Sequence, residues 1–234
     1  MHRTLAASQE AAFFNMTTQE DIANQQHHYA NIILDTYQTL AEQQSNVVWE
    51  LLKTTDTVYE WEHYPHGDVK NQLSQYYYHS HPSQDSDRVP EHGHFHCFIR
   101  KPATLTTATP LRISEKHLTD HKKDNLCHLV AIAINEHSQP TAFFTVNHWV
   151  VQGIWYSAEV VSHFLDQFNF LEDQSTLPTS RWISAMVQLF KPQIQELLQH
   201  RDHVIQKWNE ENPTEDVFAD KRLEVTSIYK LSET

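Results

Sequence analysis

The chain has 234 residues, enough for one sizeable domain with a real core, and six Trp, nine Tyr and eleven Phe to anchor it. Seventeen Lys and Arg against thirty Asp and Glu leave a formal net charge of −13, which excludes the basic footprint of a nucleic-acid binder and attraction to an anionic membrane surface. No apolar run approaches a membrane span, and Met1–Met16 holds one Arg and no continuous apolar stretch, so the expectation is a cytoplasmic protein with no membrane partner.

Residues 1–16 read as a weakly ordered tail and residues 17–234 as a single domain. Thr17 or Thr18 can cap a helix with Glu20 and Asp21 in its first turn, and Ile22, Tyr29, Ile32, Ile33, Tyr37 and Leu40 recur at helical spacing over 19–43. A short helical piece follows at Val47–Lys53. Thr54–Thr57 is a breaker, and His63-Tyr64-Pro65-His66-Gly67-Asp68 has turn chemistry, so 54–68 is expected to be a loop. Gln75–His81 and His92–Arg100 read as strands joined by a polar connection, with an irregular Thr- and Pro-rich stretch at 101–111. Residues 114–127 are helix-compatible. Residues 128–135 and 140–151 read as a hairpin, and Ser157 opens a helix to about Phe168. Pro178 and Thr179 open a long helix to about Asn209, with Pro192 as a kink, and Leu223–Leu231 is a terminal strand. Helices at the ends and a mostly antiparallel sheet between them make the fold class α+β.

Histidine appears 18 times, while glycine appears three times where about 7% usage would give roughly sixteen. The densest chemistry is His79-Ser80-His81 and His92-Gly93-His94-Phe95-His96. Strand side chains alternate faces, so His79 and His81 share a face, as do His92, His94 and His96, while Tyr78, Phe95 and Cys97 point into a core. If the two strands pair, four or five imidazoles converge, and three or four such ligands with an open position make a catalytic metal site. His79, His81, His94 and His96 are therefore the candidate metal ligands. Glu91, Asp68 and His63 are the candidate acid–base residues. Arg100, able to clamp a carboxylate or phosphate, and His128, Asn147 and Trp149 in the hairpin are candidates for substrate contact, with Trp149, Trp155, Tyr76 and Tyr78 as an aromatic wall. The two cysteines, Cys97 and Cys127, are expected to be ordinary thiols.

Two known zinc and iron motifs fail. His79-Ser80-His81-Pro82 opens like the zinc site of deubiquitinase-like isopeptidases, but Val89 and His92 stand where those proteins need Ser and Asp. His94-Phe95-His96 echoes the cupin pair, but Arg100 and Lys101 replace its following Glu. Tyr76-Tyr77-Tyr78-His79-Ser80-His81, then Glu91-His92-Gly93-His94-Phe95-His96, then His128-Leu129-Val130 and Asn147-His148-Trp149 together resemble a bacterial domain family of unknown function across about residues 59–208. That family carries similar HYP-x-GD, YYYH-x-H and E-x-GHFH strings. The resemblance supports the choice of site and implies no reaction.

The leading expectation is an enzyme that binds one divalent metal ion, Fe or Zn, and acts on a small-molecule substrate. A non-catalytic ligand- or metal-binding protein is the alternative. A third is an assembly protein whose helices 19–43 and 179–209 form a homo-oligomer interface.

Overall fold

The computed structural model describes residues 19–59, 62–80, 91–113, 126–172 and 177–231. The expected tail at 1–16 and residues 114–125 of the helix expected over 114–127 lie outside these residues, and Leu126 and Cys127 open a strand rather than end a helix. In chain order the elements are α1 (Gln19–Glu42), α2 (Trp49–Leu52), β1 (Tyr64–Lys70), β2 (Ser74–Ser80), β3 (Gly93–Arg100), β4 (Arg112–Ile113), β5 (Leu126–Ile134), β6 (Pro140–Val146), α3 (His148–Val151), β7 (Ile154–Trp155), α4 (Ala158–Phe164), α5 (Pro178–Leu189), α6 (Lys191–Glu211) and β8 (Val225–Lys230). Six strands form an antiparallel sheet in the order β1-β2-β3-β5-β6-β8, and β4 pairs with β7 apart from it. The fold is α+β, as the element order predicts. No helix among the described residues is long and apolar enough to cross a membrane.

Strand alternation gives the sheet two unlike faces. Tyr76, Tyr78, Phe95, Cys97, Ile99, Val130, Ile132, Ile134 and Phe143 join one large apolar core with Ile32, Ile33 and Leu40 of α1, Trp182 and Met186 of α5, and Ile194 and Leu198 of α6. Tyr76 and Tyr78 are therefore core residues on the face away from the histidines, and they do not wall a pocket as expected. Trp155 belongs to a third cluster with Ile205 and Val217. The expected helical stripe of α1 reaches the core except at its start: Ile32, Ile33 and Leu40 are buried and Tyr29 and Tyr37 pack against the same cluster, whereas Ile22 remains 45% exposed. Cys97 and Cys127 are free and buried, and burial pushes both thiols up, Cys127 to about 12, so neither is a ready nucleophile.

Four local expectations are corrected. Residues 64–70 are an edge strand, not loop, although it pairs with β2 irregularly between Tyr64 and Val69. Positive φ at Gly67 and Asp68 supplies the irregularity that read as a turn. The long late helix is two helices, because Pro192 has no N–H to continue α5 and clashes with the preceding turn; the chain breaks at Phe190 and restarts with Pro192 in the first turn of α6. His92 lies in a bend before β3, and its Nδ1 is 2.7 Å from the Tyr78 hydroxyl, so it does not share a face with His94 and His96. Asn147 is not in a strand. It caps α3, its Oδ1 accepting from the His148 amide at 2.8 Å, while Nδ2 donates to the carbonyls of Val217 at 2.7 Å and Leu223 at 3.0 Å.

Asn147 is fully buried, so truncating it leaves the His148 amide without its side-chain acceptor and takes one donor each from the Val217 and Leu223 carbonyls, which keep only the Asp220 amide and Trp149 Nε1. Asn147→Ala is expected to lower stability by about 2 kcal/mol. A urea unfolding midpoint equal to wild type contradicts this.

Candidate metal centre

The second face of the sheet carries the chemistry. His79 on β2 lies directly opposite His94 on β3, and Tyr77 lies opposite His96. On the other side of β3, His94 faces Ala133 and His96 faces Ala131. The large apolar side chains of β5, Val130, Ile132 and Ile134, all point to the core, and alanines stand directly opposite His94 and His96. Small neighbours leave room for the rings to lean toward one another. Phe144 closes the cluster, edge-on to His94 at 5.0 Å between ring centres.

His79, His94 and His96 each offer one ring nitrogen, and these atoms all lie within 4.8 Å of one another. His94 Nε2 and His96 Nε2 are 2.9 Å apart. Two nitrogens each about 2.0–2.1 Å from one zinc ion at a tetrahedral angle lie roughly 3.3 Å apart, so these two need only a small adjustment, and His79 offers its nitrogen within 4.8 Å of both. His94 and His96 are each 1% exposed, and His79 is half-buried. Three neutral imidazoles are a donor set that zinc, iron, copper and nickel all accept. His81 lies outside the described residues.

The remaining predicted residues take different places. Glu91 Oε1 sits 3.0 Å from His94 Nδ1, on the ring edge away from His96, the edge from which a carboxylate can orient an imidazole that could hold a metal. His128 Nε2 is 3.0 Å from His96 Nδ1. Because that is the opposite edge of the His96 ring from His94, an ion held by His94 and His96 is out of reach of His128. His63 stacks on Tyr77 with ring centres 3.6 Å apart, and Asp68 Oδ1 is 3.8 Å from His63 Nδ1. Gln75 Nε2 donates to Asp68 Oδ2 at 2.7 Å. This pair forms the rim of the site, with His63 about half exposed. Arg100 Nη1 donates to the Asn71 carbonyl at 2.6 Å, and Trp149 Nε1 to the Leu223 carbonyl at 3.0 Å. Arg100, Asn147 and Trp149 thus have polar groups engaged by backbone rather than gathered at the cluster.

Tyr77, Phe98 and Phe144 line the site and were not singled out from the sequence. Their signal was parity: Tyr77 has the parity of His79, and Phe98 that of His94 and His96. His128 reaches this face for a different reason. Cys97 pairs with Val130 but Phe98 pairs with His128, so Leu129 is an extra residue in β5. Leu129 and Val130 both turn to the core, and the bulge delivers His128 to the histidine face.

Burial holds His96 well below the usual imidazole range, and the neighbouring His94, His128, His79 and His63 add to it. Burial also pushes His128 down to about 3, with Arg201 contributing. In metal-free protein these groups bind protons only when unfolded, once the pH falls below about 6.5. Their contribution is therefore complete above that pH and is lost as pH falls toward the folded values. Stability is expected to fall below about pH 6.5 by up to about 1.4 kcal/mol per pH unit for each group. Urea midpoints of chelator-treated protein that stay flat from about pH 7 to about pH 5 contradict this.

At the rim, burial lowers His63 and Asp68 opposes it; burial raises Asp68, opposed by His63, Gln75 and Lys70. An imidazole kept neutral beside a carboxyl is the pairing expected of a general base.

No curated protein and no solved structure matches the chain. One family model, described as Domain of unknown function (DUF6969), matches residues 27–231, which takes in every strand of the main sheet and all three clustered histidines. The chain therefore belongs to the DUF6969 family, a domain of unknown function.

Proposed function

We propose that the chain is a metal-dependent enzyme acting on a small molecule, with one divalent ion, zinc or ferrous iron, held by His79, His94 and His96. The observation that carries this reading is the convergence of three imidazole nitrogens within 4.8 Å on one sheet face. When bound, zinc supplies Lewis acidity that makes water a nucleophile near neutral pH, whereas ferrous iron supplies oxygen chemistry. His63 acts as general base at the rim, and Asp68 orients it and stabilises its protonated form. Tyr77 and Phe144 give the substrate an apolar surface, while Glu91 holds the His94 ring. Substrate contact is assigned to these residues rather than to Arg100, Asn147 and Trp149.

Elemental analysis of tag-free protein purified without chelator is expected to give about one equivalent of zinc or iron. No metal, even after anaerobic reconstitution with either ion, removes the reading. With the metal identified, aryl esters and phosphates (zinc) or oxygen uptake (iron) define the screen. His63→Ala is expected to keep the metal and to lower kcat by about 100-fold. A metal carrier without turnover is the second reading, favoured by the burial of His94 and His96. It predicts stoichiometric metal with no activity in that screen.

A further inference from the structure

The hydrogen bonds around the cluster decide which nitrogen of each ring carries its hydrogen. A carboxylate only accepts, so His94 keeps its hydrogen on Nδ1, facing Glu91, and presents a lone pair at Nε2. His96 Nε2 stands 2.9 Å from that lone pair and must donate to it. A neutral His96 then has its lone pair on Nδ1, and His128 Nε2, 3.0 Å away, must donate in turn. In the metal-free protein the bonds run one way, from His128 to His96 to His94, and His94 donates to Glu91.

A metal needs a lone pair at Nε2 of both His94 and His96. Glu91 has already set His94 correctly. His96 is set wrongly, because its hydrogen occupies the position that an ion would take. We infer that His128 is the positioning residue that converts His96 into a ligand, by reversing the His96–His128 hydrogen bond as the ion enters. The proton on His128 Nε2 passes to His96 Nδ1 along the 3.0 Å bond. His96 releases its Nε2 proton to solvent, and His128 takes one from solvent at Nδ1, so the proton count is unchanged. His128 ends as an acceptor holding His96 in the metal-binding tautomer. Among the described residues, no other polar side chain is within hydrogen-bond distance of His96 Nδ1.

The inference rests on the metal-binding reading, and its test separates the two. The probe is zinc ion alone, titrated into wild type, His128→Leu and His128→Gln. Leucine can neither donate nor accept, whereas the glutamine amide does both. His128→Leu is expected to lose about 10–100-fold in zinc affinity, and His128→Gln to recover most of it. Nitrogen-15 imidazole spectra of wild type should place the His96 hydrogen on Nε2 without zinc and on Nδ1 with it. This arm needs no substitution and stands even if the leucine variant fails to fold. Calorimetry in buffers of different ionisation enthalpy should show no net proton release. A His96 hydrogen already on Nδ1 without metal, one proton released per zinc, or equal affinity in the Leu and Gln variants overturns the relay while leaving the metal site intact. Absence of zinc binding by wild type overturns both.

Discussion

His94→Ala and His96→Ala should each strip the bound metal, with a larger loss than the roughly 10–100-fold that contacts outside the ligand set are worth. His200→Ala should keep it. The contrast follows from geometry. His94 and His96 nitrogens already lie 2.9 Å apart in a site where each residue is 1% exposed, so a water filling the space of a missing ring would be a weaker, unanchored substitute for a fixed imidazole ligand. His200 is an exposed residue on α6 and has no part in the cluster. His79 is only half-buried, so water can take its place more readily and His79→Ala should lose less than the other two. Circular dichroism checks that each variant is folded, and elemental analysis reads the metal. His94→Gln, which fills more of the space, guards against a merely structural loss. Equal metal content in His94→Ala, His96→Ala and His200→Ala would remove the site assignment.

The parts of this site visible in the sequence are those governed by the two-residue period of a strand. That period put His79, His94 and His96 on one face and Tyr78, Phe95 and Cys97 on the other, and the pairing of His79 with His94 followed once β2 and β3 were neighbours. The same period also held the clue to the space around the rings, in the alternation of Ala131 and Ala133 with Val130, Ile132 and Ile134. What the sequence hid are the places where a tertiary partner breaks the period. His128 has the parity of Val130 and would face the core; an extra residue at Leu129 reverses it. Asn147 follows a strand and reads as its continuation, yet carbonyls from Val217 and Leu223, some seventy residues on, make it a helix cap. Pro65 and Gly67 read as loop because turn residues also serve irregular edge strands. Each miss is a local sequence with two permitted conformations, decided by contacts distant in the chain.

Gly93→Ala should cost about 3 kcal/mol and weaken metal binding at the same time. Gly93 opens β3 opposite Ser80, one residue before His94. A Cβ there would overlap the His79 carbonyl oxygen and the Tyr78 hydroxyl and would lie 2.7 Å from Tyr78 Cζ. Neither neighbour can yield cheaply. The first is backbone of the paired strand, and the second belongs to a fully buried ring whose hydroxyl is 2.7 Å from His92 Nδ1. Relief therefore requires β2 and β3 to part at this end, and the next pair along the ladder is His79 with His94. The methyl group points to the core face, so it touches no imidazole; any loss of zinc affinity must come through strand separation. Urea unfolding of metal-free protein reads the first effect and zinc titration the second. If Gly93→Ala loses stability but binds zinc as wild type does, the His79–His94 register does not set the ligand geometry, and the ion is held by His94 and His96 without His79. If it loses neither, β2 and β3 do not approach as closely at Gly93 as the structure has them.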